Sequence, residues 1–208
     1  MKVEIIRHGL TKYSEEHRYL GLIDAPLSLR GREELCPRAF PEKVYVSRLM
    51  RTKETAEIIY PGAVRTEMSG LGEMDFGEFD GRTCLELSSD RRYQEWVDGY
   101  CTGECPGGES RQSFTDRVTA AFSLIMDREM KMRTNSGSRV MGGTVYLVVH
   151  GGTIMSVMDR YAGGKQDYFS WLPPCGCGYL LDADRWQEEH VLQVLEKVDC
   201  RKPAKTWR

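Results

Sequence analysis

The chain has 208 residues, 40% of them hydrophobic and 29% charged, with a formal charge of −2. That is the composition of an ordinary globular protein, long enough to bury a substantial core and read most simply as one domain spanning 1–208. The near-even charge gives no general reason to expect nucleic-acid or membrane binding, so any attraction for phosphate must be local to a site.

The amino terminus opens directly in strand pattern, and no run of about 18 apolar residues occurs, so a cytoplasmic protein is expected. The seven cysteines are odd in number and scattered, which reads as reduced thiols. Cys101, Cys105, Cys175 and Cys177 could gather as a metal site, but neither pair has zinc spacing, and no metal is expected.

Lys2 to Ile6 reads as the first strand, followed by a polar loop from Thr11 to Asp24. Ser28 opens a short helix around Gly31 that Pro37 and Pro41 close off. Val44-Tyr45-Val46 is a second strand, and Leu49, Thr52, Ala56 and Ile59 recur at helical spacing up to Pro61-Gly62. Ala63 to Thr66 is a weak third strand, and the Gly-rich run from Gly70 to Gly81 has no period and reads as an ordered loop. Helical pieces follow around Leu85 and Trp96. Ser110 is a candidate N-cap for the longest helix, whose apolar side is Phe114, Val118, Ala121, Phe122 and Ile125.

After a connector over 135–143, Val145 to Val149 is the continuous apolar run of a central strand. Tyr179 to Leu181 and Val191 to Leu195 read as edge strands, with an antiparallel pair possible, and the basic tail after Lys197 as frayed. Alternating strands and helices need crossover connections, so the expected fold is α/β, a three-layer α/β/α sandwich with a mainly parallel sheet.

Two of the four histidines, His8 and His150, stand at strand ends immediately before glycine. Glycine lets the backbone bend and a bulky anion approach, and Gly151-Gly152 would add the N–H groups of a helix start. Arg7 precedes His8. Arg51 falls in the first turn of a helix, where the dipole disfavours a cation unless an anion neutralises it. Arg48, three residues earlier, is the alternative. His17 and His190 read as surface residues.

Arg7-His8-Gly9-x-Thr11, Ser47-x-Leu49-x-Arg51 with Glu54-Thr55-Ala56, Leu71-x-Glu73 with Phe76-Gly77, Pro106-Gly107-Gly108-Glu109-Ser110 and His150-Gly151-Gly152-Thr153 occur in that order. Together they resemble the histidine phosphatase superfamily, phosphoglycerate-mutase-like branch, as does Gly21-x-x-Asp24-x-Pro26-Leu27-Ser28-x-x-Gly31. The resemblance implies that His8 is a nucleophile forming a phosphohistidine, that Arg7, Arg51 and His150 bind phosphoryl oxygens, and that Glu73 donates the proton to the leaving group. It also implies substrate contacts from Thr11, Ser14, Gly21 and Gly151, no cofactor, and a small phosphorylated substrate or inorganic phosphate as ligand. Glu109-Ser110 reads as a helix cap instead of a ligand contact.

Departures from the family pattern bear on substrate. Leu10 stands where the family commonly has an acid or amide, and Ser14 where it has Asn. Met74 and Phe76 replace the basic and hydroxylated side chains that the mutases place after the acid, and a longer mutase insertion is missing. The segments from Glu73 to Phe79 and from Phe114 to Val118 look like the phosphatase side, including the α-ribazole phosphatases. A phosphoglycerate mutase and a non-catalytic phosphate-binding module are the competing expectations. Tyr168-Phe169-Ser170-Trp171, Trp96 and Tyr100 read either as core or as walls around an apolar leaving group.

Overall fold

The computed structural model describes residues 1–135, 143–163 and 166–202. The expected connector over 135–143 and the end of the expected tail, 203–208, lie largely outside the described residues.

Along the chain run β1 (Lys2–Arg7), α1 (Lys12–Glu15), α2 (Leu29–Glu33), β2 (Lys43–Val46), α3 (Met50–Ile59) and β3 (Val64–Glu67). Then come α4 (Cys84–Leu87), α5 (Arg91–Asp98), α6 (Arg111–Asn135), β4 (Thr144–Val149), α7 (Gly151–Tyr161), β5 (Cys177–Asp182), α8 (Trp186–Glu189) and β6 (Gln193–Asp199). The Gly-rich run carries only single 3-10 turns at Ser69–Leu71 and Gly77–Phe79.

The six strands form one mixed sheet in the order β3-β2-β4-β1-β5-β6. The first four are mutually parallel, and β5 runs antiparallel to β1 and to β6. This is the expected α/β sandwich, with the two late strands added at one edge. Strand alternation divides the core. Val3, Ile5, Tyr45, Val145, Leu147 and Val149 face Phe114, Phe122 and Ile154 of α6 and α7, whereas Ile6, Val44, Val46 and Val148 face Ala56 and Ile59 of α3.

Two expectations change. The loop after β1 contains α1, because Thr11 accepts from the Ser14 N–H and caps it. The tail expected to fray after Lys197 instead completes β6 through Asp199, and Cys200 is buried. Its backbone is engaged on both sides, with the Cys200 N–H donating to Gly176 O at 2.9 Å and the Cys36 N–H to Cys200 O at 2.8 Å. Buried backbone groups that find partners in this way hold a terminus that composition alone marks as loose.

Adjacent β1 and β4 send their following connections in opposite directions, β1 toward β2 on one side and β4 toward β5 on the other. Such a reversal opens a crevice at the strands' carboxyl ends. His8 and His150 are the residues that follow β1 and β4 there.

Candidate active site

The His8 and His150 rings lie edge to face, 5.3 Å between centroids, both buried. His8 Nδ1 is 2.7 Å from the Gly9 carbonyl oxygen. A carbonyl can only accept, so Nδ1 carries the proton and Nε2 keeps its lone pair. Burial lowers the His8 pKa well below its ordinary value of 6.5, and the charges of Arg51 and Arg7 lower it further. The imidazole is therefore neutral, as a nucleophile requires.

His150 is depressed for the same reasons, burial first and Arg51 next. Both of its nitrogens are engaged. Nδ1 accepts from Arg51 Nε at 3.2 Å, and Nε2 lies 2.8 Å from Ser47 Oγ, to which the neutral tautomer donates. In this arrangement His150 meets the site through its neighbours, Arg51 above all.

Arg51 is fully buried at 0% exposure beside the crevice, while Arg48 is exposed. Its Nη1 donates to Ile23 O at 2.8 Å and its Nη2 to Leu20 O at 3.3 Å and Gly21 O at 2.7 Å. Asp80 holds the same loop from its N–H side, accepting from Gly21, Leu22 and Ile23. Burial pulls Arg51 down to about 10, against the favourable charges of Glu73, Asp80 and Asp24, so it stays protonated at neutral pH. The start of α3 is capped from this loop as well, by Asp24 Oδ1 accepting from the Met50 N–H at 2.6 Å.

Arg7 differs from Arg51. Its Nη1 donates to Pro173 O at 2.9 Å, but Nε is buried without a partner and the side chain makes no ion pair among the described residues. A buried, unpaired N–H is costly unless a ligand takes it. Gly151 lets it in: a Cβ there would stand 3.3 Å from Arg7 Nε and 2.6 Å from Leu172 Cδ1.

Glu73 is buried and points at the start of α7, where it accepts from Gly152 N–H and Met74 N–H, each at 3.1 Å. Its pKa is raised above 4.5 by burial, which outweighs those two hydrogen bonds and the charges of Arg51 and Arg7. Gly152 leaves the carboxyl its room, because a Cβ would fall 2.3 Å from Glu73 Oε1 and the carboxyl would have to shift. Arg117 supports the acid from behind, donating to the carbonyls of Gly70, Gly72 and Glu73 and pairing with Glu109 through both carboxylate oxygens. Glu109 is thus part of this brace, while Ser110 is the cap of α6, accepting from Ser113 N–H at 3.1 Å.

Arg7, His8, Glu73 and Gly151 line a cavity of about 570 Å³, joined by Ser14 and Leu10. Its walls are mostly apolar, with Tyr19, Phe76 and Trp96 on the α5 side and Phe114, Tyr168 and Phe169 on the α6 side. Arg51 and His150, expected to bind phosphoryl oxygens, and Thr11 and Gly21, expected as substrate contacts, are not among its lining residues: Arg51 and His150 are enclosed and bonded to each other, Thr11 caps α1, and Gly21 belongs to the loop held by Arg51 and Asp80. His17, read as a surface residue, stands exposed at the cavity's rim. Ser47, Arg111 and Arg117 were assigned no role by the sequence. Ser47 and Arg117 stand within family-like motifs, and Arg111 is legible as a cation in the first turn of the longest helix.

All seven cysteines are free thiols, and Cys84, Cys101 and Cys175 line the cavity. Among the described residues no group of three or more His, Cys, Asp or Glu is placed to hold a metal ion. Among them, too, no helix is long and apolar enough to cross a membrane.

Comparison with known proteins places the chain in a family. A probable phosphoglycerate mutase, GpmB, from Salmonella paratyphi C (strain RKS4594) is 34% identical over 137 residues, 61% of this chain and 64% of that protein. The match thus spans less than two thirds of such relatives. The structure of the α-ribazole phosphatase from Shigella flexneri superimposes with a TM-score of 0.80 over 100% of both chains at 20% identity, a likeness of fold. A phosphoglycerate mutase from Thermus thermophilus gives 0.66 at 27% identity, over 95% of this chain and 98% of that one. The sequence profile of the histidine phosphatase superfamily, branch 1, matches residues 3–187, and the chain belongs to that superfamily.

Proposed function

We propose that this protein is a metal-independent phosphomonoester hydrolase working through a phosphohistidine on His8. The observation that carries the reading is a neutral, tautomer-fixed His8 sharing a cavity with the buried, unpartnered Nε–H of Arg7. One supplies the lone pair and the other seeks an anion.

His8 Nε2 attacks phosphorus as the bond to the ester oxygen breaks, and Glu73, in the acid form that burial favours, gives its proton to the departing alkoxide. Water then attacks the phosphohistidine, with ionised Glu73 taking its proton. The P–N bond breaks, and neutral His8 and inorganic phosphate result. Arg7 opposes the charge on the equatorial oxygens from the cavity wall, and Arg51, enclosed behind that wall, adds its charge from there. An Arg–phosphate pair at 4 Å gives on the order of 4 kcal/mol at an effective dielectric near 20, so two arginines can take the place of a metal ion. His150 acts through Arg51, which it orients while staying uncharged.

The aromatic walls suit a leaving group with a flat, apolar body, of which α-ribazole phosphate is an example. A phosphoglycerate, three carbons long, would fill little of the cavity and meet mainly rings. Phosphate release from a panel of phosphomonoesters including both compounds, with excess chelator, tests the reading. Chelator-resistant release by the wild type that His8→Ala abolishes is expected. Full activity in His8→Ala would refute it, and isomerisation of phosphoglycerate faster than phosphate release would make the protein a mutase.

A further inference from the structure

The cavity holds three arginines, and their partners sort them. Arg18 is neutralised by Glu16 at 2.7 Å and Glu86 at 2.8 Å. Arg7 has no carboxylate and faces the reaction centre. Arg111 has none either among the described residues. Among the described residues its hydrogen bond, from Nη1, goes to the carbonyl of Tyr100 at 3.1 Å.

Arg111 differs from Arg30 and Arg91, two exposed arginines of other helices. Arg30 and Arg91 each reach a glutamate four residues on, Glu34 and Glu95. Four residues after Arg111 stands Thr115. It also occupies the first turn of a 25-residue helix, where the dipole adds positive potential. Its guanidinium is stacked 4.9 Å from the ring centre of Tyr168 and 6.0 Å from that of Phe169. That platform is fixed, because Tyr168 Oη is 3.0 Å from Ser156 Oγ, itself 3.1 Å from Thr115 Oγ1. A cation pinned over rings at the half-exposed rim, without a counter-charge, is built to receive one from outside.

We infer that Arg111 is a specificity residue that binds a second anionic group on the leaving group, at the end of the molecule remote from the phosphoryl. The cavity that the two unpaired arginines share is also lined by Phe114, Met155, Tyr168 and Leu172, so the body joining the two anions is apolar. The substrate class is a phosphomonoester of a bulky apolar or aromatic alcohol that also carries a carboxylate or another anion. This rests on the hydrolase reading above and narrows its substrate.

A matched pair of probes tests it: 2-naphthyl phosphate and 6-carboxy-2-naphthyl phosphate, which differ only in a remote carboxylate. Wild type should favour the carboxylate in kcat/KM, and Arg111→Gln should reduce that ratio about tenfold or more, as expected for a hydrogen bond to a charged group. Arg111→Lys should keep part of the ratio, which a purely packing role for the side chain would not produce. No preference in wild type, or a preference that survives Arg111→Gln, overturns the inference while leaving the hydrolase intact. Equilibrium binding of the carboxylated probe to His8→Ala, read by naphthyl fluorescence, separates the two claims. Weaker binding on adding Arg111→Gln supports the anion subsite even if neither probe is turned over, and unchanged binding refutes it.

Discussion

Arg51 Nε donates to His150 Nδ1 at 3.2 Å, so the histidine that flanks the nucleophile is held neutral by the arginine expected to face the phosphoryl group. The same guanidinium reaches the carbonyls of Leu20, Gly21 and Ile23, joining the second histidine to the loop that carries Tyr19 and Leu20 into the cavity. On the proposed mechanism Arg51→Ala removes a cation that stabilises the transition state and should lower kcat about 10²- to 10³-fold. Arg51→Lys keeps the charge but not the fork, so it should recover part of kcat while KM stays raised because the loop is freed. Steady-state kinetics of the two variants check this.

The acid is positioned from the far side. Arg117 holds three carbonyls of the 70–73 segment, and Glu109 Oε2 takes the Asp75 N–H at 3.0 Å. Arg117→Ala should release Glu73 and lower kcat about 10- to 100-fold with a smaller change in KM, since displacement of a catalytic group by about 1 Å costs that much. A merely structural loss would leave the pH profile in place; loss of positioning should move the limb that belongs to Glu73.

Gly152→Ala tests the same acid from the other side. Its Cβ would enter the space of Glu73 Oε1, so the carboxyl must move. Turnover should fall at least about tenfold, with thermal stability used to separate displacement from unfolding.

The pH dependence follows from the two shifts. His8 lies well below 6.5, so activity should rise with pH as His8 deprotonates on the acid side of that value. Glu73 lies above 4.5, and activity should fall as pH climbs through its pKa and the proton donor is lost. A bell-shaped kcat/KM profile whose rising limb lies below pH 6.5 is expected, and Glu73→Gln should lose the falling limb. Stability has its own signature. His8 and His150 stay neutral in the folded protein while the unfolded chain protonates near 6.5. Their contribution is whole above that pH and declines below it, by up to about 1.4 kcal/mol per pH unit for each histidine, as urea unfolding against pH would record.

What the sequence disclosed depended on how local each signal was. His8 and His150 were legible because each lies in one short stretch, a strand running into glycine. The choice of Arg51 over Arg48 rested on a helix-dipole argument plus a motif, and burial separates them in space. Ser47 stands in that motif too, yet its hydrogen bond to His150 spans 103 positions, which no local pattern records. The cavity walls are likewise long-range, with Trp96, Phe114 and Tyr168 meeting only after the sheet brings α5, α6 and the 168–171 turn together. Within one stretch each ring looked equally suited to the core. Gly21 stood in a recognisable motif, but its carbonyl and N–H serve Arg51 and Asp80, a backbone role that side-chain chemistry does not announce.

The central claim is that His8 carries phosphate during turnover. Rapid acid-free denaturation of the wild-type protein mixed with a radiolabelled phosphomonoester should trap label that is stable to base and lost in mild acid, on the peptide containing His8, and His8→Ala should trap none. Label retained in His8→Ala, or turnover by wild type with no phosphoenzyme at any time and direct transfer to water, would contradict the account.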